Sequence, residues 1–327
     1  LISAADGATL KGIQIGGDLI LAPGVTKDVT LVDCVIQGNI RNYGTGEVRF
    51  EAPQITPEST ATKPSEVYKP GATLDRTLEY GGKTVPIYRD RPLNVFSDVD
   101  FIWTGEENEN QRRLEYLGGE FRTRYGIDVS SFQGEIDWDA VADDNIDFAM
   151  VRVGFRGTGT GSLNTDKYYE QNIRGAMRAG LETGVYFFAQ AVTVEEAIEE
   201  ADYVISLLDG LDINGPVAYD WEMHDSTYRV YGTSPEMATA CAVAFCERIK
   251  DAGYTPMVYG GTYVTYMKYD QGALADYLSW YPEYKSEKSE KLCPTLVYHM
   301  DYWQFSSSRA VAGINGRVDM NIQFIRR

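Results

Sequence analysis

Histidine and cysteine, the side chains that most often bind metal ions, are scarce in this sequence of 327 residues. It contains two histidines and four cysteines, which are His224, His299, Cys34, Cys241, Cys246 and Cys293. No CxxC pair occurs, and Cys241 and Cys246 lie about 140° apart around a predicted helix. These spacings fit neither a zinc site nor a disulfide framework, so we expect four buried thiols. Two histidines also leave few candidates for a histidine-based metal site or a Ser-His-Asp triad.

Basic residues are in the minority, since 30 lysines and arginines stand against 48 aspartates and glutamates and the formal net charge is −18. A surface of this sign repels phosphates, so we expect no nucleic-acid partner. No stretch approaches the roughly 18–20 consecutive apolar residues that a membrane-spanning helix needs. The first residues, LISAADGATLKG, lack a basic region followed by an apolar core, so we expect no signal peptide in them.

Aromatic residues are plentiful, with 23 Tyr, 12 Phe and 5 Trp in a chain that is 43% hydrophobic. This composition predicts a globular protein of more than one domain. Residues 1–51 are predicted to form short strands. Within them, IGGDLILAPG (15–24) and IQGNIRNYG (36–44) resemble each other at an offset of 21 residues. Such a repeat is typical of a small β-solenoid, but two copies leave a plain β-meander equally open.

Residues 52–71 are rich in Pro, Ser, Thr and Glu, which predicts a linker. Residues 72–122 are predicted to form a small β-rich segment. It begins with a hairpin over 78–90, turning at Gly81-Gly82, and continues with a strand within 93–103. The polar stretch 104–120 is expected to be a short helix or a connection.

From Tyr125 the pattern changes to alternating strands and helices. The predicted strands cover 125–130, 148–155, 184–190, 216–222, 256–261, 278–284 and 302–306, and the predicted helices cover 138–144, 166–180, 194–210 and 234–253. Repeated β-α units in about 200 residues favour a closed parallel barrel, and the absence of GxGxxG after the first strand argues against a dinucleotide-binding fold. We expect an α/β fold, an irregular β/α (TIM-like) barrel over 123–327 that follows a small all-β N-terminal region. Little helix separates the last strands, so the irregularity should lie at the C-terminal end of the barrel.

Four acidic residues follow apolar strands or lie in the last one: Asp128, Asp220, Glu222 and Asp319. In parallel β/α barrels the carboxyl ends of the strands form the active site. Asp220 and Glu222 end the strand counted as fifth, or as fourth if one assignment is wrong. They share one side of it, with Cα atoms roughly 6.5–7 Å apart, while Trp221 points to the core. A lone aspartate there is more often a solvated strand end, but this grouping predicts a glycosidase, which needs two carboxyl groups across one bond.

Aromatic residues also fall near the carboxyl ends of the predicted strands. They are Tyr186, Tyr259, Trp280 and Trp303. Sugar rings could stack on them, or they could belong to the barrel core, and the residues alone leave both interpretations open.

Residues 125–327 resemble the glycoside hydrolase family 25 lysozymes, the N-acetylmuramidases of the Chalaropsis type. The matching segments occur in the order of the family and are GIDVSSFQGEIDW (126–138), FAMVRVGF (148–155), AGLETGVYFFAQA (179–191), VAYDWE (217–222), MVYGG (257–261), LSWYPEY (278–284) and YWQFSSSRAVAGINGRVDMN (302–321). The resemblance implies an irregular β/α barrel that cleaves the β-1,4 bond between N-acetylmuramic acid and N-acetylglucosamine.

By this resemblance, Glu222 is the general acid and Asp220 is its partner carboxylate, which orients the substrate's N-acetyl group or stabilises positive charge. Asp128 and Asp319 are two further acids of the site. The positions expected to shape the sugar-binding groove are Tyr186, Tyr259, Trp280 and Gln304. Substrate assistance by the 2-acetamido group is favoured, because no second carboxylate is evidently dedicated as a nucleophile.

The same resemblance implies no metal or organic cofactor, with peptidoglycan glycan strands as the partner. It implies action outside the cytoplasm, in the cell wall or the medium, by a secreted bacterial or phage-derived enzyme that is bacteriolytic. Two alternatives stay open: a non-catalytic glycan-binding barrel, and another amino-sugar glycosidase such as a chitinase or glucosaminidase. The N-terminal β region is either a module that anchors the enzyme to its substrate or a spacer.

Two segments depart from the family pattern. RGTGTGSLN (156–164) replaces a Thr-Glu-Gly turn, so Arg156 stands near the expected position of an acid. Phe132 replaces the residues that variants of the SSFQG motif carry there. The position of Arg156 leaves the specificity of that part of the substrate-binding groove open.

Overall fold

A computed structural model describes residues 2–3, 7–11, 14–15, 19–23, 25–32, 35–36, 40–43, 45–51, 62–71, 73–105 and 112–327. The chain divides into two compact units, Leu1–Thr60 and Ala61–Arg327. Cys34, half of the predicted linker (52–61) and part of the polar stretch after Thr104 lie outside the described residues.

The first unit contains short strands that pair in parallel. They are β1 (Ile2–Ser3), β2 (Thr9–Lys11), β3 (Gln14–Ile15), β4 (Leu19–Leu21), β5 (Val29–Val32), β6 (Val35–Ile36), β7 (Ile40–Asn42) and β8 (Val48–Glu51). Their ladders are β1-β4-β7, β2-β5-β8 and β3-β6. Leu19 pairs with Ile40, Thr9 with Thr30 and Gln14 with Val35, each 21 residues on.

Parallel pairing at this offset matches the sequence repeat, whereas a meander would pair neighbouring strands antiparallel. A small apolar core is enclosed by the ladders, formed by Leu19, Leu21, Val25, Val29 and Leu31. We propose on this pairing that the first unit is a β-solenoid.

The second unit begins with a helical turn and two antiparallel pairs of strands. These elements are α1 (Pro64–Val67), β9 (Leu74–Tyr80), β10 (Lys83–Tyr88), β11 (Phe101–Thr104) and β12 (Arg113–Tyr116). The predicted hairpin is confirmed, and Gly81 and Gly82 both have the positive φ that its two-residue turn requires. Within 93–103, where a strand was expected, the strand that forms is β11, which begins only at Phe101. The helix considered for 104–120 is wrong for the part described, where β12 forms instead.

These elements pack against the barrel that follows rather than forming a core of their own. Ile87, Phe101 and Leu114 belong to the same buried cluster as the outward-facing barrel residues. The backbone N–H of Thr62 also donates to the carboxylate of Glu195, beyond the third barrel strand. Residues 62–122 are therefore part of the barrel's unit.

A closed barrel makes up the rest of this unit, as the alternating pattern predicted, but its wall has eight strands, one more than the seven predicted. Its strands, with one short extra strand β15, are β13 (Phe121–Val129), β14 (Phe148–Arg156), β15 (Leu163–Thr165), β16 (Glu182–Ala189), β17 (Val217–Trp221), β18 (Pro256–Tyr259), β19 (Leu278–Pro282), β20 (Tyr302–Arg309) and β21 (Val318–Arg326). All except β15 form the barrel wall in chain order, and β13 pairs with both β14 and β21 to close it. The first seven wall strands are parallel, and β21 is antiparallel to both of its neighbours.

Five helices accompany the barrel strands in the part of the chain from residue 112 onwards. They are α2 (Trp138–Asp143), α3 (Tyr169–Arg178), α4 (Val194–Leu207), α5 (Pro235–Asp251) and α6 (Thr262–Met267). Ser234 caps α5 by accepting a hydrogen bond from the N–H of Met237, and Pro235 occupies its first position, as predicted. No helix joins β19 to β20 or β20 to β21, and the expected irregularity at the C-terminal end is confirmed.

The thiols are only partly as expected. Cys241 and Cys246 are free and buried on α5, but Cys293 is partly exposed, so its prediction as a buried thiol is wrong. Among the described helices, none combines the length and the apolar character that crossing a membrane would require.

Side chains alternate between the barrel interior and the layer of helices. The interior cluster contains Met150, Ala218, Met257, Trp280 and Tyr302, whereas the outward layer holds their strand neighbours. Trp221 is fully buried in that outward layer, where its Nε1–H donates to the carbonyl oxygen of Ala191 at 3.0 Å. The prediction that Trp221 belongs to the core is confirmed.

Arg156 does not reach the interior of the barrel, so this departure from the family pattern does not extend to a groove there. Its guanidinium is buried against α4, where it donates to the carboxylates of Glu200 (2.8 Å) and Glu199 (2.7 Å). It also donates to the backbone oxygens of Gly161 and Glu196. The reason is a long-range ion pair, because the Glu200 side chain is fully buried and needs a positive partner.

Replacing this arginine should destabilise the fold. We expect Arg156→Met to lower the free energy of unfolding by ~3–5 kcal/mol, because the carboxyl of Glu200 then stays buried without its countercharge. Glu199→Gln is the matched control and should cost at most ~1 kcal/mol, since the Glu199 side chain is 58% exposed. Urea unfolding followed by circular dichroism measures both, and equal losses in the two variants would contradict the assignment.

Candidate active site

The residues predicted for the site meet in one cleft of about 330 Å³ at the carboxyl ends of the parallel barrel strands. All four acids and all four groove residues named from the sequence line it. The full lining is Asp128, Ser130, Phe132, Gln133, Arg152, Tyr186, Phe188, Asp220, Glu222, His224, Tyr259, Trp280, Tyr284, Gln304 and Asp319.

Asp128 and Asp319 face each other across two antiparallel strands. Asp128 is the eighth residue of β13 and pairs directly with Asp319, the second residue of β21. The Asp128 carboxylate is buried and accepts two amide hydrogen bonds at Oδ2, from Gln304 Nε2 (2.9 Å) and Asn321 Nδ2 (2.8 Å). The Asn321 amide is held in turn by Trp280, whose Nε1–H donates to Oδ1 at 2.7 Å.

This pair retains protons that exposed aspartates would lose. Burial raises the pKa of Asp128 to about 6, against the opposing effect of the two amide donors. Burial and the charge of Asp128 raise the pKa of Asp319 to about 8. Because the two carboxyls are hydrogen-bonded to each other, they share a proton near neutral pH, with Asp319 as the donor.

The second pair of acids comes from β17, which is the fourth strand of the barrel wall. Asp220 points into the interior and is buried, while Glu222 follows the strand end and lies at the mouth of the cleft. Burial raises the pKa of Asp220 and that of Glu222, and the charge of Glu222 raises the pKa of Asp220 further. The pair therefore holds a proton at a pH where isolated carboxyls are ionised.

The partners of this second pair are few. Oδ1 of Asp220 is buried and has no hydrogen-bond partner among the described residues. Oε2 of Glu222 lies 3.0 Å from Nε2 of His224, and the Glu222 backbone oxygen accepts from Gln190 Nε2 at 2.8 Å. The cleft thus holds a carboxyl pair that keeps a proton, with Glu222 at the mouth and, below it, an Asp220 oxygen without a partner among the described residues.

The aromatic residues divide between the floor of the cleft and the outer layer. Tyr259 and Trp280 are buried, with ring centroids 4.9 Å apart at 72°, and Tyr186 packs edge-on against Trp280. They shape the floor and present little ring face to a ligand. Trp303 is fully buried, does not line the cleft, and donates from Nε1 to the Glu283 carbonyl oxygen. Of the two interpretations, core packing is correct for Trp303.

Two cleft residues on the β13 side were not singled out as groove residues from the sequence. Phe132 has an 85% exposed ring, and the guanidinium of Arg152 lies 5.2 Å from its centroid. Arg152 is fixed by Asp166, which accepts from Nε and Nη2 at 3.0 and 2.8 Å. A single arginine inside the apolar strand FAMVRVGF was the available signal.

Three more residues belong to the site. Asn321 lies two residues after Asp319, and His224 two residues after Glu222. Tyr284 lies in a segment already quoted, and its hydroxyl donates to Oε1 of Gln304 at 3.1 Å, the atom that Tyr259 also contacts. Within the residues described, no group of three or more His, Cys, Asp or Glu side chains is arranged to hold a metal ion.

Comparisons with known proteins agree on one family. The model of the glycosyl hydrolases family 25 matches residues 127–314. The autolytic lysozyme of Clostridium acetobutylicum is 26% identical over 197 residues, which are 60% of this chain and 54% of that protein. Lysozyme M1 of Streptomyces globisporus is 27% identical over 201 residues, covering 60% of this chain and 66% of the relative. This chain thus matches about half the length of the clostridial relative.

A solved structure supports the fold. The Clostridium perfringens spore cortex lytic enzyme SleM superimposes with a TM-score of 0.52 at 23% identity, covering 62% of this chain and 67% of that one. At this identity the likeness concerns the fold alone. The family model spans more than half of the chain and includes three of the four acids of the cleft. The chain therefore belongs to the glycosyl hydrolases family 25.

Proposed function

We propose that this protein is a peptidoglycan hydrolase, a muramidase that cleaves the β-1,4 bond between N-acetylmuramic acid and N-acetylglucosamine. The observation that carries the proposal is the grouping of Asp128, Asp220, Glu222 and Asp319 in one cleft. The names of two relatives, an autolytic lysozyme and a lysozyme, support the same substrate. Peptidoglycan lies outside the cytoplasm, so the enzyme would act in the cell wall as a bacteriolytic enzyme, secreted by a bacterium or released by a phage.

Glu222 is the proposed general acid. It lies at the mouth of the cleft, where its side chain is 27% exposed and can reach a glycosidic oxygen. Burial raises its pKa, which keeps the carboxyl protonated closer to neutral pH. In the first step Glu222 donates its proton to the oxygen of the leaving sugar.

Asp220 is the proposed partner of the substrate's 2-acetamido group. Its buried Oδ1 has no hydrogen-bond partner among the described residues, so it can accept the amide N–H of that group. The acetamido oxygen would then attack the anomeric carbon as the leaving group departs. Water would open the resulting ring while Glu222 takes up the water's proton. Asp128 is an unsuitable nucleophile, because two side-chain amides engage its Oδ2 and its carboxyl shares a proton with Asp319.

The remaining cleft residues are proposed to bind sugar without taking part in the chemistry. Tyr186, Tyr259, Trp280 and Gln304 form the floor, on which Gln304 links Tyr259 to Asp128. The exposed ring of Phe132 offers a face on which a sugar could stack at the rim.

Replacing the proposed acid should abolish hydrolysis without abolishing binding. We expect Glu222→Gln to lower kcat by about 10²–10⁴-fold, because general acid catalysis is lost. Glu236→Gln, at an exposed glutamate that does not line the cleft, is the control and should keep normal activity. The measurement is mass spectrometry of the reducing ends released from purified peptidoglycan, together with sedimentation of each variant with insoluble peptidoglycan.

The products of the wild type separate the competing functions. Muramic-acid reducing ends are expected, and N-acetylglucosamine reducing ends would identify a glucosaminidase instead. Release of chitin oligosaccharides in place of peptidoglycan fragments would indicate a chitinase. Sedimentation with peptidoglycan but no release of fragments would indicate a glycan-binding barrel. Near-normal turnover by Glu222→Gln would remove Glu222 from the acid role.

Removing the exposed ring at the rim should weaken substrate binding selectively. We expect Phe132→Ala to raise KM about 3- to 10-fold with kcat little changed, because a stacked aromatic ring contributes ~1 kcal/mol. Phe132→Trp should retain the wild-type KM. Val99→Ala is the control, since Val99 is 82% exposed and does not line the cleft. A KM that is unchanged in Phe132→Ala on soluble glycan chains would exclude stacking at this position.

A further inference from the structure

One of the two histidines lies in contact with the proposed acid. Nε2 of His224 is 3.0 Å from Oε2 of Glu222, at hydrogen-bond distance. The His224 side chain is 61% exposed and that of Glu222 is 27% exposed, so the imidazole covers the solvent side of the carboxyl. The reaction proposed above gives His224 no task.

The backbone around this contact is held at several points. Gln190 donates from Nε2 to the Glu222 backbone oxygen, and its own backbone oxygen accepts from Arg229 at 2.8 Å. Arg229 binds Glu196 with two further hydrogen bonds, of 2.8 and 2.7 Å. The segment from Glu222 to Arg229 is therefore anchored on both sides of His224, and the imidazole meets the carboxyl from a fixed backbone.

The charged groups around His224 are almost all acidic. Asp220 lies beyond Glu222 on the inner side, and Asp225 is the next residue in the chain. The Asp225 carboxylate is engaged by the N–H and the hydroxyl of Thr227, and the ring of Tyr228 packs edge-on against the imidazole at 5.3 Å. On the far side of the cleft, the charge of Asp128 raises the pKa of Asp220 and the charge of Arg152 lowers it.

Glu222 is thus placed between an acid and an imidazole. Burial raises its pKa, whereas the charge of His224 and hydrogen bonds from Asp220 and His224 lower it. A general acid that must also accept a proton in the second half of the reaction works best when its pKa lies near the working pH. Burial alone would raise the pKa of Glu222 so far that its carboxyl would not readily donate the proton.

We propose that His224 is a positioning residue for Glu222, holding the solvent-side oxygen of its carboxyl through Nε2. The proposal rests on the general-acid role of Glu222. It assigns two separable effects to His224, a hydrogen bond that orients the carboxyl and, when the imidazole is protonated, a charge that eases loss of the proton of Glu222.

Two substitutions separate these effects. His224→Gln keeps a side-chain amide but removes the charge, and His224→Ala removes both. We expect the alkaline limb of kcat/KM against pH to move upward by about one unit in both variants. At neutral pH we expect kcat to fall about 10-fold in His224→Ala and less in His224→Gln, with KM within about 3-fold of the wild type. His299→Gln, at the other histidine, should leave the alkaline limb in place.

A second measurement does not require turnover. The carboxyl carbon of Glu222 can be followed by NMR in protein labelled at glutamate, and its signal is identified by its loss in Glu222→Gln. We expect the pKa of Glu222 to rise by about one unit in His224→Gln. An unchanged Glu222 titration would overturn the proposal, and so would an unchanged alkaline limb in both active variants. A shifted titration in a protein that hydrolyses nothing would uphold the contact while refuting the proposed function.

Discussion

The alternation of side chains along β17 is the constraint on which the cleft depends. Ala218 faces the barrel interior with Met257, and Asp220 follows it two residues later on the same side. Tyr219 and Trp221 face the helices in a fully buried layer. A slip of one residue would turn the indole into the cleft and the carboxyl into the apolar layer. The packing that stabilises the barrel wall therefore also fixes the position of the acid.

The two buried carboxyls of the cleft, those of Asp128 and Asp220, differ in the number of hydrogen bonds that they accept. Asp128 has two amide donors, and one of them, Asn321, is itself fixed by Trp280. Asp220 keeps one oxygen without a partner among the described residues, although it is equally buried. An unpartnered buried oxygen is unfavourable in the free protein. Filling it is a natural role for a polar group of the substrate, which would bind more tightly than its contact area suggests.

Local patterns explain what the sequence could predict. Apolar strands with a period of two, separated by amphipathic helices, predicted the barrel and placed the two acids of β17 on one face. The face of the barrel wall on which an aromatic side chain lies could not be predicted from the pattern alone. Trp280 and Trp303 lie in strands of similar composition but on opposite faces. The position of Arg156 depends on Glu200, which lies 44 residues further along the chain. Such a pairing cannot be deduced from the strand in which the arginine lies, nor can the exposure of Phe132 from its motif.

The reversed direction of β21 has a consequence for which parts of the chain border the cleft. The strand starts at the cleft with Asp319 and runs to the other end of the barrel, where Arg326 pairs with Phe121, the first residue of β13. The start of β13 and the end of β21 therefore both lie at the end of the barrel that is remote from the acids. The mouth of the cleft is therefore bordered by the loops that follow the parallel strands and by the start of β21, and not by the far ends of β13 and β21.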